Sequence, residues 1–143
     1  MGYPDHCSQI NILRDRHSEN PLDRVQPVVT KDELLELVRE TRNVEANDRI
    51  FDYVTTLAEA TRTHPMVELG VSPRGALALC RMAKAHAFLA GRDFVVPEDI
   101  AAVFPDVCAH RLILSAKARM MEEKAENILA EILKSVDMPV LKA

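Results

Sequence analysis

The stretch from Ser72 to Gly91 constrains the fold more than any other part of the sequence. Ser72 is a good N-cap, because its hydroxyl can accept a hydrogen bond from the free amides of a first helical turn, and Pro73 suits the first helical position. Alanines and larger apolar residues follow at helical spacing until Gly91, a residue type that commonly ends helices. The alanines allow close helix–helix approach, so this helix is predicted to be central. The side chains predicted to face inward are Ala76, Leu77, Cys80, Ala83, Ala87 and Phe88.

Further helices are predicted on both sides of this one. Capping signals and apolar periodicity place them at about 5–16, 31–42, 48–63, 97–104 and 116–136. Thr30 and Glu33 have the spacing of a capping box, and Pro105 is expected to end the helix that precedes it. Two β-prone runs, 94–96 and 112–114, are predicted to pair. The predicted fold class is therefore all-α, a helical bundle of four to five main helices with a small two-stranded β-hairpin.

Composition argues against several classes of function. The 143 residues are 48% hydrophobic, so the chain can bury a core, and a net charge of −4 with interleaved acids argues against nucleic-acid binding. The three cysteines are far apart and lack metal-ligand spacing, which predicts no metal site and favours a reducing cytoplasm. The sequence contains no recognisable signal peptide and no stretch with the length and hydrophobicity of a membrane span.

Arg74 is the candidate functional residue of this sequence. It falls in the first turn of the predicted central helix, where a cation opposes the helix dipole. A phosphate would account for it, since exposed amides, the dipole and a guanidinium together bind an anion, and Ser72 and Pro73 would fix the turn. The alternative is a surface arginine paired with a neighbouring carboxylate. His64, in the loop before the turn, is a second candidate for ligand binding, with loop capping as its alternative role.

No catalytic constellation accompanies Arg74. The sequence lacks the phosphate-binding loop GxxxxGK[ST], the GxGxxG and HExxH motifs and the GxSxG elbow. Its five histidines are scattered. The pattern therefore predicts a helical module that contributes one arginine to a phosphate held elsewhere, as helical lids of nucleotide-hydrolysing proteins do.

An ordered set of motifs resembles the lid domain of MoxR-type AAA+ ATPases. The first is Thr-Arg-Thr-His-Pro-x-Val-x-x-Gly-x-Ser-Pro-Arg at 61–74. Gly-Arg-Asp-Phe-Val-Val-Pro-Glu-Asp-Ile follows at 91–100, and His-Arg-Leu-Ile-Leu follows at 110–114. Asn-Pro-Leu and Val-Gln-Pro-Val within 20–28 resemble the linker that precedes the family's lid. The resemblance covers roughly 2–140.

The resemblance implies a chaperone-like ATPase that forms a ring, as a hexamer or similar assembly, and uses ATP and Mg²⁺. Members of the family help to assemble or mature other complexes, often beside a protein with a von Willebrand factor A domain. Arg74 matches the family's sensor 2 arginine, which contacts a nucleotide phosphate of its own or a neighbouring subunit. The Walker A loop, the Walker B acids, sensor 1 and the arginine finger are absent from this sequence. The resemblance therefore implies that the chain is the C-terminal part of a longer protein and neither binds a cofactor nor hydrolyses ATP alone.

Three regions are predicted on this basis: 1–29 as the end of the ATPase core and a linker, 30–115 as the lid domain, and 116–143 as a C-terminal helix and tail. The alternative is a free-standing helical interaction module without a nucleotide role. Its support is the lack of catalytic motifs and the apolar stripe at 128–136, which could dock a partner helix.

Overall fold

A computed structural model describes residues 2–15 and 20–140, which form seven α-helices and one two-stranded sheet. The helices are α1 (His6–Asp15), α2 (Lys31–Asn43), α3 (Asp48–Thr63), α4 (Pro73–Leu89), α5 (Pro97–Cys108), α6 (Ala116–Met120) and α7 (Ala125–Ser135). The strands are β1 (Val67–Leu69) and β2 (Ile113–Leu114). The predicted class, a helical fold with a minor sheet, is confirmed. None of the described helices is long and apolar enough to cross a membrane.

The chain divides into two compact units, and the boundary lies within α2, between Leu35 and Glu36. In the first unit the predicted capping box is confirmed: the Thr30 amide donates to Glu33 Oε2 at 2.7 Å, and the Glu33 amide donates to Thr30 Oγ1 at 3.2 Å. The predicted end of the first helix at Arg16 lies outside the described residues.

The hydrophobic core belongs to the second unit, where α4 and α5 pack against each other most extensively and α7 packs on α3 and α5. Helix α3 forms at the predicted bounds, 48–63, and buries one face. Its buried residues are Ile50, Tyr53, Val54, Leu57, Ala58 and Thr61. These side chains belong to one hydrophobic core, which is mainly aliphatic and includes Tyr53 and Phe104.

The buried face of α4 differs from the predicted one at three positions, Gly75, Leu77 and Leu79. Leu77 is 59% exposed, whereas Leu79 is buried. Gly75, Leu79, Ala83 and Ala87 are four residues apart and form one row along the helix, and this row lies against the core. Three of the predicted side chains, Ala76, Cys80 and Phe88, are partly buried beside it. Small residues therefore do line the contact face, as predicted.

Pro105 does not end its helix, contrary to the prediction. Helix α5 continues through it to Cys108. A proline removes one intrahelical hydrogen bond and crowds the preceding turn, at a cost of about 3 kcal/mol. Burial of Phe104, Val107 and Cys108 around it offsets that cost.

The single helix predicted over 116–136 is interrupted. Helix α6 ends at Met120, and Glu122 adopts a left-handed φ of 54° before α7 begins at Ala125. The side chains that periodicity placed on an apolar stripe are largely internal, and those of α7 that are fully buried are Ile128, Leu129 and Ile132. The stripe at 128–136 therefore belongs to the protein's own core and no longer supports an interaction module.

The predicted pairing of the two β-prone runs is wrong. Strand β2 pairs in antiparallel fashion with β1, so that Val67 lies opposite Leu114 and Leu69 opposite Ile113. Both α4 and α5 lie between the two strands in sequence, so they do not form a hairpin. The run at 94–96 instead contacts Glu45, whose carbonyl accepts from the Val95 amide at 2.9 Å. The three residues of β1 are too few to show an alternating pattern in the sequence.

Replacing Tyr53 by phenylalanine is expected to raise the free energy of unfolding of this chain by up to about 1 kcal/mol. The Tyr53 hydroxyl is buried and has no hydrogen-bond partner among the described residues. Burial, with the charge of Glu98, also raises the pKa of this phenol. Urea unfolding measures the change, with Tyr3→Phe at an exposed tyrosine as the control. A loss of more than 1 kcal/mol would contradict the unpaired hydroxyl.

Candidate functional site

The turn at 70–75 has the capped geometry that the sequence predicts. Ser72 is the N-cap of α4, and its Oγ accepts from the Gly75 amide at 3.2 Å. Pro73 occupies the first helical position. The Ser72 carbonyl accepts the first helical bond, from the Ala76 amide at 3.0 Å. Arg74 therefore stands in the first turn of α4, at the positive end of the helix dipole.

The Arg74 side chain is exposed. No hydrogen bond or ion pair joins it to any residue that the structure describes. The surface ion pair considered as the alternative is thus not formed within that part of the chain. A cation at a helix N-terminus opposes the dipole, so its local contribution to stability is unfavourable.

Arg74 lies on a groove of about 570 Å³ at the N-terminal end of α4. Two further arginines, Arg62 and Arg111, line the same groove, whereas Glu68 is its one acidic residue. Glu68 also lies 3.9 Å from an Arg119 nitrogen. The groove is therefore locally positive on a chain whose net charge is −4, and guanidinium groups in such a place suit a phosphate.

Arg62 and Arg111 were not singled out from the sequence, although both lie inside motifs that carry the resemblance. Arg62 Nε donates to the Val71 carbonyl at 2.9 Å. Arg111 donates to the Val107 carbonyl and contacts His110 Nε2. Both side chains are thus tied to backbone near the groove. Their position within the motifs was the available signal, but nothing in the spacing showed that three arginines would share a groove.

Val71, the residue before the Ser72 cap, is bonded through both its amide and its carbonyl to the end of α3. The Thr61 hydroxyl accepts from the Val71 amide at 2.9 Å and donates to the Ala58 carbonyl at 2.6 Å. Arg62 Nε holds the Val71 carbonyl, as described above. Gly70 passes directly over α3 here, because a Cβ on it would lie 2.7 Å from the Arg62 backbone nitrogen.

We expect Gly70→Ala to lower the free energy of unfolding by about 2 kcal/mol, because the added methyl group overpacks a contact made with backbone. The new Cβ would meet Arg62 N and Thr61 Oγ1, both at 2.7 Å, so the loop must move. Gly2→Ala is the control, since nothing lies within 4 Å of a Cβ at that position. Equal stabilities of the two variants in urea unfolding would contradict the close approach.

His64 is not among the residues that line the arginine groove. Its Nδ1 accepts from the Met66 amide at 3.2 Å, and its Nε2 lies 3.8 Å from a carboxylate oxygen of Glu131. The residue follows the last turn of α3 and stabilises the loop that leads to β1. Of the four predicted site residues, the structure brings Ser72, Pro73 and Arg74 together on the groove and leaves His64 apart.

A buried carboxylate, Asp99, forms the strongest electrostatic cluster among the described residues. It is 1% exposed and accepts from Arg92 through both oxygens, at 2.6 and 2.7 Å. His86 Nδ1 lies 2.7 Å from one oxygen, and the Val96 amide donates to the other at 2.8 Å. Burial alone would raise the pKa of Asp99, but these hydrogen bonds outweigh it and lower the pKa to about 2. The cluster joins the end of α4 to the start of α5 and serves the fold.

The remaining reactive side chains of the described chain offer neither a metal site nor, at Cys108, an activated thiol. No three His, Cys, Asp or Glu side chains within the described ranges are placed to hold a metal ion. Burial raises the pKa of the Cys108 thiol to about 11, so this thiol is protonated and unreactive at neutral pH. The arginine groove of about 570 Å³ is therefore the best candidate for a ligand-binding site in the described chain.

Comparison with known proteins identifies a family and several relatives. Residues 59–132 match the AAA lid domain family. The uncharacterized protein YeaC of Bacillus subtilis is 38% identical over 143 residues, which cover 100% of this chain and 45% of YeaC. Chaperone MoxR1 of Mycobacterium tuberculosis is 29% identical, over 100% of this chain and 40% of that protein. A Cytophaga hutchinsonii protein assigned as an ATPase has a crystal structure that matches with a TM-score of 0.84 at 32% identity, covering 98% of this chain and 45% of that one.

The chain spans less than half the length of these relatives. The part that it spans contains the whole of the matched lid region, including the groove and the turn that carries Arg74. The chain therefore belongs to the AAA lid domain family, and the proteins that it resembles include relatives named MoxR.

Proposed function

We propose that this chain is the C-terminal lid of a longer AAA+ ATPase and that Arg74 is its sensor 2 arginine, the residue that contacts a nucleotide phosphate. One observation carries the proposal: Arg74 is exposed at the N-terminus of α4, without a partner in the described chain, in a groove shared with Arg62 and Arg111. Removing this guanidinium breaks no hydrogen bond or ion pair within the described chain. The Arg74 side chain is therefore available to bind a ligand.

ATP and Mg²⁺ are the cofactors of the proposed full-length protein. The groove fits the phosphate end of a nucleotide, because it offers guanidinium groups and lies at the positive end of the α4 dipole. Arg74 would hold a phosphate oxygen there, with Ser72 and Pro73 fixing the turn that presents it. Bound Mg²⁺ supplies charge neutralisation of the phosphates when the nucleotide is in place. The lid would then couple nucleotide binding and hydrolysis to its own movement.

The biological use that we propose is chaperone-like assembly or maturation of other complexes by a homo-oligomeric ring, with a hexamer as the expected size. The support is similarity: one relative, MoxR1, is named a chaperone. A protein with a von Willebrand factor A domain is the proposed partner. The cytoplasm is the proposed location, on the ground of the widely spaced cysteines.

The test is ATP turnover by the full-length protein with Arg74 replaced by alanine. We expect turnover to fall while the variant chain keeps its fold, because the Arg74 side chain makes no hydrogen bond or ion pair within the described part of the protein. Unchanged turnover would reject the sensor 2 assignment.

A further inference from the structure

We propose that Thr61 and Arg62 are positioning residues for Arg74: by holding both backbone groups of Val71, they set the direction in which α4 presents its arginine. The proposal rests on the proposed function of Arg74. The new element is that two residues at the end of α3, Thr61 and Arg62, would determine the orientation of Arg74. Neither residue has a role assigned by the family match or by the named relatives.

The first step is the hold on Val71. Its amide donates to Thr61 Oγ1 and its carbonyl accepts from Arg62 Nε, each at 2.9 Å. A residue bonded through both backbone groups has little freedom to rotate, because each bond fixes one peptide plane. Val71 is also 1% exposed, so packing restrains its side chain as well.

The second step is the anchor behind Thr61. The Thr61 side chain is fully buried, and its hydroxyl donates to the Ala58 carbonyl at 2.6 Å while it accepts from Val71. The hydroxyl thus donates its one proton to the backbone of α3, and its oxygen accepts from the loop amide of Val71. The loop is thereby bonded to the rigid body of α3.

The third step leads from Val71 to Arg74. A Cβ on Gly75 would lie 2.8 Å from Val71 Cγ1, so the first turn of α4 rests directly on the Val71 side chain. The Ser72 hydroxyl caps the same turn by accepting from the Gly75 amide. Arg74 lies between these contacts. Because only two residues separate it from Val71, a shift of Val71 moves the Arg74 backbone with it.

The chemistry of Thr61 allows a direct test, since a fully buried hydroxyl cannot contact a nucleotide in the groove. An effect of Thr61 on hydrolysis must therefore pass through the chain. In the full-length ATPase we expect Thr61→Val to lower kcat by about 10-fold, because small displacements of a catalytic group are costly. Thr61→Ser keeps the hydroxyl and should restore kcat.

Thr63→Val is the matched control. Thr63 is an exposed threonine on the same helix, and its hydroxyl also bonds its own helix, to the Glu59 carbonyl at 3.2 Å. If Thr61→Val fails to fold, Thr61→Ala replaces it, since it also removes the hydroxyl that accepts from the Val71 amide and adds no atoms to the buried site. Melting temperature, measured beside kcat and KM, separates loss of fold from loss of positioning.

The decisive measurement is a double-mutant cycle with Arg74→Ala. If Thr61 acts through Arg74, Thr61→Val has no further effect on kcat once Arg74 is absent. If the two effects multiply, or if Thr61→Val behaves like Thr63→Val, the positioning role is overturned while the sensor 2 role stands. If Arg74→Ala alone leaves kcat unchanged, the proposed function fails and the positioning role fails with it.

Discussion

Replacing Arg74 by alanine in the full-length protein is expected to lower kcat for ATP hydrolysis by about 100-fold, the usual size for removing one donor to a developing charge. The physical reason is the position of the guanidinium on a groove that is already positive, where it can stabilise phosphate charge. The same substitution should not weaken the fold. Removing a cation from a helix N-terminus should instead raise the free energy of unfolding by about 0.3 kcal/mol or more.

The two effects of Arg74→Ala have opposite signs, because kcat falls while the free energy of unfolding rises. Arg81→Ala is the matched control, because Arg81 is exposed on the same helix seven residues on, roughly 10 Å along the axis from Arg74. We expect Arg81→Ala to leave kcat nearly unchanged. Arg74→Lys keeps the charge without the planar fork and should recover only part of the rate. Equal losses for Arg74→Ala and Arg81→Ala would point to general charge and not to a phosphate contact.

Asp99→Asn is expected to lower the free energy of unfolding by about 3 kcal/mol, since it removes one partner of a buried charge pair. The loss is at the lower end for such pairs because Arg92 is 27% exposed and water can solvate it. Glu98→Gln is the matched control: it is the neighbouring acid in the same helical turn, and its side chain is exposed. Urea unfolding at neutral pH measures both. Similar losses for the two variants would contradict the special role of Asp99.

The same cluster predicts a pH dependence with a definite sign. In the folded chain the pKa of Asp99 is about 2, below its ordinary value of 3.8, so the folded state favours the charged carboxylate. The stabilisation is therefore complete above the unfolded pKa and is lost as pH falls through the folded one. The stability difference between the wild-type chain and Asp99→Asn should shrink by about 2 kcal/mol between roughly pH 5 and pH 2. A constant difference over that range would contradict the lowered pKa.

The helices with strong local signals were predictable from the sequence, and α3 shows why. Its apolar residues recur at helical spacing, and its end at His64 follows from Pro65. Where local signals conflict with packing, prediction fails. Pro105 signals a helix end, but the buried residues on both sides of it keep α5 continuous. The turn at Glu122 has no glycine to announce it, so helical composition on both sides concealed the break.

Only the part of the candidate site that consists of consecutive residues was predictable from the sequence. Ser72, Pro73 and Arg74 are consecutive, so capping rules alone place the arginine at the first turn of α4. Arg62 and Arg111 reach the same groove from the end of α3 and from the segment before β2. Strand β2 pairs with β1 and not with the run at 94–96 that the sequence predicts as its partner, so no local signal places Arg111 beside Arg62. The groove, unlike the turn, is a product of tertiary structure.

Helix α4 is connected to neighbouring helices by hydrogen bonds at both of its ends. At one end Val71 is bonded to α3, and at the other the Asp99 cluster joins Arg92 to α5. Between these attachments lies the whole of α4, whose 17 residues span roughly 25 Å. Since α4 is bonded to α3 at one end and to α5 at the other, a force that a ligand exerts on Arg74 would act on all three helices together and would reach residues 90–96 at the far end of α4.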